Sequence, residues 1–184
     1  RILPWRKKAN KTLANPYFVF VSEYMLQQTT VNTVKNKFND FVLKWPSVNK
    51  LAKITEPEIL KFWSGLGYYS RARNLLKTAK IINKSFKNKI PQTYDELIQL
   101  PGIGDYTAKA ILGIGFNKSV MPLDANIERI LVRLHAIDQP IIKVKNKLKD
   151  LANKFISDKY SSNLIQSFMD YGSAICLPRN PRCD

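Results

Sequence analysis

Two glycines and a proline, set between two amphipathic helical patterns, constrain the fold of this chain more than any other feature. The turn is Leu100-Pro101-Gly102-Ile103-Gly104. Thr93 and Glu96 stand at capping-box spacing ahead of the first helix. The second helix repeats apolar positions three and four apart, at Ala108, Ile111, Leu112 and Gly115. Glycine permits the positive φ angles of a sharp reversal. This predicts that the amides of Gly102, Ile103 and Gly104 face outward at a helix N-terminus, where a phosphate can bind. An ordinary connection between two helices explains the same turn equally well.

The charge of the chain favours a polyanionic partner. Lys and Arg number 30 against 14 Asp and Glu, a formal net charge of +16, which predicts salt-dependent binding to nucleic acid. Lysines on solvated helix faces, with no partner, are the alternative. No apolar run approaches the ~20 residues that cross a bilayer, and the first residues lack a signal-peptide pattern. Two cysteines cannot build a disulfide framework. We expect an intracellular monomer that binds no membrane.

Helical periodicity recurs along almost the whole chain. Residues 16–21 form an apolar run, either strand or buried helix, that continues into a helical stripe ending near Phe41. Thr55 and Glu58 form a second capping box, and the helix they open is broken by glycines at 65 and 67. Further helices are predicted around residues 72–79, 127–134, 148–155 and 164–171. Strand alternation and hairpin dipeptides are not found, so the sequence predicts an all-α fold. His135 has no second metal ligand near it and is interpreted as structural.

Glu23 and Asp124 are the candidate catalytic carboxyl groups. Glu23 follows an apolar run, where burial would raise its pKa and keep it protonated, as a general acid requires; a partly exposed glutamate beside Ser22 is the alternative. Polar residues lie one turn beyond it, namely Gln27, Gln28 and Thr29. Asp124 precedes a helix, whose N-terminus favours an ionised cap able to stabilise a developing cation. A protonated glutamate and an ionised aspartate together can break glycosidic bonds.

Residues 63–74, WSGLGYYSRARN, combine two glycines, two tyrosines and two arginines at a helix boundary. This composition suits a loop that inserts against bases and phosphates, with Arg71 among its DNA contacts. A glycine turn with tyrosines packed inward is the alternative.

Six separated blocks resemble the helix-hairpin-helix DNA glycosylases, and among them the adenine-specific mismatch branch. The blocks are LPWR (3–6), PYFVFVSEYMLQQTTV (16–31), WSGLGYYSRARN (63–74), LPGIGDYTAKAI (100–111), LDANIERIL (123–131) and the closing MDYGSAICLPRNPRC. They cover nearly the whole chain in the family's order. The resemblance implies two helical lobes with a DNA-binding cleft between them. Residues 16–122 would form a six-helix lobe with the hairpin, and residues 1–15 plus 123–184 the second lobe.

The resemblance also implies roles for the matching residues. Glu23 would protonate N7 of an extruded adenine and then help water attack C1′, while Asp124 stabilises the sugar cation. Tyr106 stands where bifunctional relatives such as endonuclease III carry a Schiff-base lysine, so the chain is expected to be monofunctional; Lys109 is not assigned that role. Gln28, Tyr68 and Leu66 match the positions at the wedge in the duplex. The adenine pocket is matched by Arg6, Leu26 and Gln166.

The chain departs from the family pattern at two places. Ala125 stands where the family usually has glycine, and some thymine mismatch glycosylases of the superfamily share Asp-Ala-Asn. Cys176 and Cys183 have the spacing that opens the family's four-cysteine [4Fe–4S] motif, and the chain ends at Asp184. We therefore expect the cluster in a longer protein and an absent or incomplete one in this chain, because two thiolates cannot complete it.

The leading hypothesis is a base excision repair enzyme. It would bind mismatched double-stranded DNA and remove adenine opposite 8-oxoguanine or guanine. A thymine glycosylase acting on G:T pairs and a non-catalytic DNA-binding hairpin module are the alternatives.

Overall fold

The structure, a computed structural model, describes residues 2–6 and 13–183. Over these residues the chain forms ten α-helices: α1 Pro16–Leu26, α2 Val31–Lys44, α3 Val48–Ala52, α4 Glu56–Trp63, α5 Ser70–Ser85, α6 Tyr94–Ile98, α7 Asp105–Ala110, α8 Ala125–Leu134, α9 Ile141–Asn153 and α10 Ser161–Ala174. A 3-10 helix spans Pro4–Arg6, and a π-helical turn, Ile111–Gly115, continues α7. This part of the chain contains no β-strand, which confirms the predicted all-α fold. None of its helices has the length and apolar character needed to cross a membrane.

Helix α1 is the central element of the core. Its side chains are buried on all sides, as in an interior helix; the most enclosed are Val19, Phe20, Val21, Tyr24 and Met25. Asn15 caps its N-terminus by accepting a hydrogen bond from the Tyr17 amide at 2.9 Å, and Pro16 occupies the first helical turn. These signals decide the ambiguous apolar run in favour of a helix.

The stripe expected to run unbroken to Phe41 is divided into two helices. α1 ends at Leu26, and Gln28 adopts a left-handed φ of +54°. Thr30 then caps α2 by accepting a hydrogen bond from the Thr33 amide at 3.4 Å. Periodicity alone did not show this break because the apolar residues on both sides of it keep a helical spacing.

The predicted capping box of Thr55 and Glu58 is confirmed, and Thr93 caps the predicted helix ahead of the hairpin without the return bond from its own amide to Glu96 among the described contacts. The Glu58 carboxylate accepts hydrogen bonds from the Thr55 amide at 2.7 Å and from the Thr55 hydroxyl at 2.8 Å. Thr93 accepts from the Glu96 amide at 3.4 Å and donates to the Glu96 carboxylate at 2.6 Å. Each cap fixes the start of a helix at the predicted residue.

The hairpin between α6 and α7 is anchored on α1 and α5. The Tyr24 and Thr78 hydroxyls donate to the Pro101 carbonyl at 2.5 Å and 2.9 Å. Gly102 has a φ of +79°, and a Cβ at this position would lie 2.9 Å from the Tyr24 ring and 3.0 Å from the Asn74 side chain. Glycine is therefore required here by both conformation and space.

The C-terminal helices pack against one another and against the π-helical turn, which itself contacts α1. Helix α10 lies against α8 and the π-helical turn. Gly172 permits this approach, since a Cβ there would lie 2.6 Å from that of Asn126. Residues 16–122 hold seven α-helices, two of only five residues, where six were expected. The division into two lobes stays a prediction.

The N-terminal segment contacts both halves of the molecule. Trp5 is buried and its ring meets that of Phe38 on α2 at 5.5 Å, edge to face. Arg6 reaches α10, where it pairs with Asp170. The rest of the basic segment, residue 1 and residues 7–12, lies outside the described residues.

Candidate active site

A cavity of about 550 Å³ opens between α1 on one side and α8 and α10 on the other. Nine of the residues singled out from the sequence line it: Arg6, Glu23, Leu26, Gln27, Gln28, Thr29, Tyr106, Asp124 and Gln166. A cavity of this size, apolar with a few polar groups converging on it, has the character of a small-molecule or nucleobase site.

Glu23 projects from α1 into the cavity wall and is only 6% exposed. Burial, together with the nearby Asp124 charge, raises the pKa of its carboxyl group from 4.5 to about 8, although a hydrogen bond from Tyr106 acts in the opposite direction. The carboxyl group is therefore protonated at neutral pH and can donate a proton. The alternative of a partly exposed glutamate is excluded. Ser22 donates instead to the Val19 carbonyl, at 2.9 Å.

Tyr106, on the first turn of α7, is the hydrogen-bond partner of Glu23. Its own pKa is raised well above the ordinary value by burial and by the negative charges of Glu23 and Asp124. The phenol thus stays neutral and donates its proton to the Glu23 carboxyl group. Lys109, one turn later, pairs with Asp105 at 2.9 Å and does not line the cavity.

Asp124 occupies the N-cap position of α8, as predicted. One carboxylate oxygen accepts the Ile127 amide at 2.8 Å, and the other accepts the Asn126 side-chain amide at 2.9 Å. Two donors and a helix N-terminus stabilise negative charge at this position. The side chain faces the same cavity as Glu23.

Asn126 and Arg129 hold Asp124 in place, and sequence reasoning missed both. Arg129 donates to the Asn126 side-chain oxygen at 2.9 Å, to the Gly172 carbonyl at 2.7 Å and to the Cys176 carbonyl at 2.8 Å. The Asn126 amide is thereby oriented towards Asp124. The only sequence signal was the position of Asn126, two residues after the candidate carboxylate.

The far wall of the cavity comes from the two ends of the described chain. Arg6 donates to Asp170 at 2.7 Å, and both groups are largely buried. Gln166 lies one turn earlier on α10 and donates to the Ser162 carbonyl at 3.0 Å. Six further lining residues belong to the sequence blocks quoted above but were not assigned to the site: Leu3, Trp5, Val31, Met169, Asp170 and Ser173.

The segment after α1 forms the mouth of the cavity. Gln27 turns its amide to the Gly102 carbonyl at 3.2 Å, which ties the cavity to the hairpin. The Thr29 hydroxyl donates to the Leu66 carbonyl at 3.3 Å. Through these bonds the mouth, the hairpin and the 64–69 loop are joined.

Of the three predicted DNA contacts in residues 64–71, one is exposed and two are buried. Tyr68 is 62% exposed and Tyr69 is also exposed, which contradicts the inward-packed alternative. Leu66 is buried, so its side chain does not project towards a duplex. Arg71, predicted to contact DNA, is 5% exposed, and its guanidinium group donates to five backbone carbonyls. These two predictions are wrong in this structure, because both side chains face the interior.

The hairpin amides fit the predicted phosphate site only in part. The Ile103 amide donates to the Leu100 carbonyl at 3.1 Å and is not available to an anion. Gly104 caps α7 in an extended conformation, and Asp105 places a carboxylate directly after it. Tyr94 and Lys109 hydrogen bond to that carboxylate at 2.9 Å and 3.1 Å.

The two cysteines do not fit a complete cluster. Cys176 is buried, with Arg133 donating to its sulfur at 3.3 Å, and Cys183 is exposed. A [4Fe–4S] site takes four thiolates, and the described residues contain no group of three or more metal-ligating side chains. The cluster stays a prediction. His135 ends α8 as its C-cap and is exposed, away from the cavity.

Comparison with known proteins gives a consistent result. Residues 21–154 match the family described as HhH-GPD superfamily base excision DNA repair protein. The chain is 40% identical over 184 residues to the adenine DNA glycosylase of Buchnera aphidicola subsp. Baizongia pistaciae, covering 100% of this chain and 51% of that protein. It is 38% identical to the human adenine DNA glycosylase, covering 100% of this chain and 35% of that protein. The chain thus spans about half or less of these relatives.

Solved structures share the fold. A thermostable thymine-DNA glycosylase superposes with a TM-score of 0.87 at 26% identity, covering 100% of this chain and 83% of that one. A non-covalent endonuclease III–DNA complex superposes with a TM-score of 0.76 at 23% identity, covering 92% and 78%.

Proposed function

Because this chain belongs to the HhH-GPD superfamily of base excision DNA repair proteins, we propose that it is a monofunctional DNA glycosylase that removes adenine from a mismatch in double-stranded DNA. The relatives named adenine DNA glycosylase match along the whole chain at 38% and 40% identity. The mispaired partner of the adenine is proposed to be 8-oxoguanine or guanine.

One observation carries this proposal: a protonated carboxyl group and a carboxylate line the same cavity. Glu23 is buried with a pKa raised to about 8, and Asp124 faces the same space from a helix N-terminus. Protonation makes the base a better leaving group, and the carboxylate stabilises the cationic sugar that forms as the N-glycosidic bond breaks. Glu23, once ionised, can accept a proton from the attacking water.

This chemistry needs a base outside the helical stack. N7 and C1′ of a paired adenine cannot be reached in a duplex, so the nucleotide must be extruded into the cavity. Exposed Tyr68 and the Gln28 segment stand near its mouth and are proposed to occupy the gap that the base leaves. The net charge of +16 supports binding to the phosphate backbone. In the hairpin we propose that the amides of Gly102 and Gly104 take part in such a contact.

The proposed reaction stops at base release. Cleavage of the strand by β-elimination requires an amine in the site, and the cavity is lined by Tyr106 and by no lysine among the described residues. An abasic site is therefore the expected product.

Thymine removal from G:T pairs is a second candidate. The thermostable thymine-DNA glycosylase superposes along the whole chain. Ala125, the alanine of the Asp-Ala-Asn pattern that some thymine mismatch glycosylases share, lies in the cavity wall next to Asp124. A non-catalytic hairpin module explains the basic charge but not the burial of Glu23 opposite Asp124.

Single-turnover base release separates the three candidates. Duplexes carrying A opposite 8-oxoguanine, A opposite G, or T opposite G are incubated with excess protein, and abasic sites are revealed by alkali. We expect release of adenine, abolished in Glu23→Gln and retained in Asp40→Asn, which changes an exposed carboxylate on α2. Faster release of thymine would favour the thymine glycosylase, and release of neither base would favour the non-catalytic binding module.

A further inference from the structure

Arg71 is a buried cation that pairs with no carboxylate among the residues that the structure describes. Its guanidinium group lies in the interior with 5% exposure, 5.6 Å from the centre of the Trp63 ring and 5.5 Å from that of Tyr68. An isolated buried charge is costly unless strong hydrogen bonds compensate for it. Here backbone carbonyls do so, and the Arg71 Nε is left without a partner. The carbonyls at the Nη ends therefore determine where the group sits.

Those carbonyls come from two separate segments. Nη1 donates to the carbonyls of Met25 at 2.8 Å and Tyr24 at 3.3 Å, and also to that of Gln27. Nη2 donates to the carbonyls of Leu66 at 2.7 Å and Gly67 at 3.0 Å. The first three belong to the last turn of α1 and to its C-cap residue Gln27, where carbonyls have no partner within the helix. One planar group thus joins the end of α1 to the 64–69 loop.

Two residues that directly follow carbonyls bound by Arg71 share an uncommon backbone conformation. Gln28 comes directly after the Gln27 carbonyl and has a φ of +54°; Tyr68 comes directly after the Gly67 carbonyl and has a φ of +46°. Residues with side chains rarely adopt positive φ, and such strain persists only where the surroundings enforce it. Arg71 binds the carbonyl that precedes each of them.

We propose that Arg71 is a positioning residue that fixes Gln28 and Tyr68 relative to each other, so that the two side chains enter a DNA duplex as one rigid unit. Its charged group binds carbonyls of the protein backbone and contacts no phosphate. The inference rests on the proposed function for what Gln28 and Tyr68 do once they meet DNA. The structural part of the inference, that Arg71 holds the end of α1 and the 64–69 loop together as a clamp, does not depend on that function.

Lysine cannot replace this group. The guanidinium fork spreads its donors over two nitrogens that face opposite segments, whereas an ammonium is a single point with three donors. Arg71→Lys therefore keeps the charge and loses one side of the clamp. Arg73→Met is the matched control, because Arg73 lies two residues further along α5, is half exposed and pairs with Glu56 at 2.7 Å.

The decisive readouts are base extrusion and the salt dependence of binding. With 2-aminopurine as the target base, in the Glu23→Gln background so that no chemistry intervenes, we expect Arg71→Lys and Arg71→Met to slow extrusion on the order of 10- to 100-fold. The slope of log Kd against log salt for an undamaged duplex should equal that of the parent. A slope reduced by about 0.9 in Arg71→Met is the signature of a lost phosphate contact and overturns the proposal, as does unchanged extrusion.

If the Arg71 variants do not fold, the proposal can still be tested by a measurement on the unaltered chain. Rotation about the Cζ–Nη bonds of a guanidinium held on both sides should be slow, so the Arg71 Nη protons should appear as separate, slowly exchanging signals in ¹H–¹⁵N spectra. One averaged signal overturns the clamp. These spectra are taken without DNA, so a chain that shows the separate signals but releases no base refutes the proposed function and not the clamp.

Discussion

Replacing Glu23 with glutamine should stabilise this protein, by an amount that grows with pH. Glutamine has nearly the same shape as a protonated glutamic acid and stays neutral at every pH. The wild-type side chain titrates near 4.5 when unfolded and at about 8 in the fold, where burial is the main cause of the raised pKa. Between these two values the native state holds a proton that the unfolded state has lost, so wild-type stability falls as pH rises.

The size of the effect follows from the two pKa values. Each tenfold change in the acid equilibrium corresponds to about 1.4 kcal/mol. The stability difference between Glu23→Gln and wild type should be near zero below pH 4.5 and about 3 kcal/mol at pH 7. Above pH 8 it should level off at about 5 kcal/mol. A catalytic group that destabilises its own fold in this way is typical of active sites.

Urea unfolding at pH 5, 7 and 9, followed by circular dichroism, tests this expectation. Both proteins contain the same other titrating groups, so their contributions largely cancel in the difference. Asp40→Asn is the control, and its stability should differ from wild type by less than about 0.5 kcal/mol at all three pH values. A Glu23→Gln difference that does not change with pH would refute the burial of a protonated carboxyl group and with it the general acid.

A pH profile and four further substitutions test the rest of the site and the hairpin. The single-turnover rate of base release should fall about tenfold per pH unit above pH 8, since the acid form of Glu23 is lost. In Tyr106→Phe the midpoint of this pH profile should move to higher pH, because the hydrogen bond that lowers the Glu23 pKa is gone. A midpoint that this change does not move would remove Tyr106 from the site. Asp124→Asn keeps the N-cap hydrogen bond from the Ile127 amide and loses the one from the Asn126 side chain, so stability should fall by only about 1 kcal/mol while base release slows by a factor on the order of 10² to 10³; a loss of stability large enough to account for the loss of rate would point to a structural role. Gly102→Ala should destabilise the protein by about 2 to 4 kcal/mol in chemical denaturation, through positive φ and overlap with its neighbours, whereas Gly104→Ala, with open space at that position, should cost about 1 kcal/mol or less.

Local features of the sequence predicted much of the fold and the centre of the site. Thr55 and Thr93 mark helix starts in the sequence, because capping involves residues that are only three positions apart. Glu23 could be identified because only Ser22 separates it from a five-residue apolar run, and a residue in that position of a buried helix has few ways to reach water. Asp124 could be identified because an N-cap is a local signal.

Contacts between distant segments were beyond such reasoning. Arg71 looks like a DNA-binding arginine in sequence, since only the fold brings the α1 carbonyls to its guanidinium group. The Arg6–Asp170 pair joins residues 164 positions apart, and no periodicity connects them. Helix α1 was predicted to run on because apolar residues keep a helical spacing across its end, and only the fold brings the Arg71 guanidinium group to the carbonyls there.

The ion pair between Arg6 and Asp170 also bears on how the molecule becomes competent during synthesis. A nascent chain can close the hairpin and bury α1 once residues up to about 115 have emerged, since those contacts lie within that stretch. The wall that carries Asp170 arrives only with α10. A chain synthesised only as far as α9 can therefore hold Glu23 in place while one side of the pocket stands open to water, and we expect the proposed base release only after α10 docks.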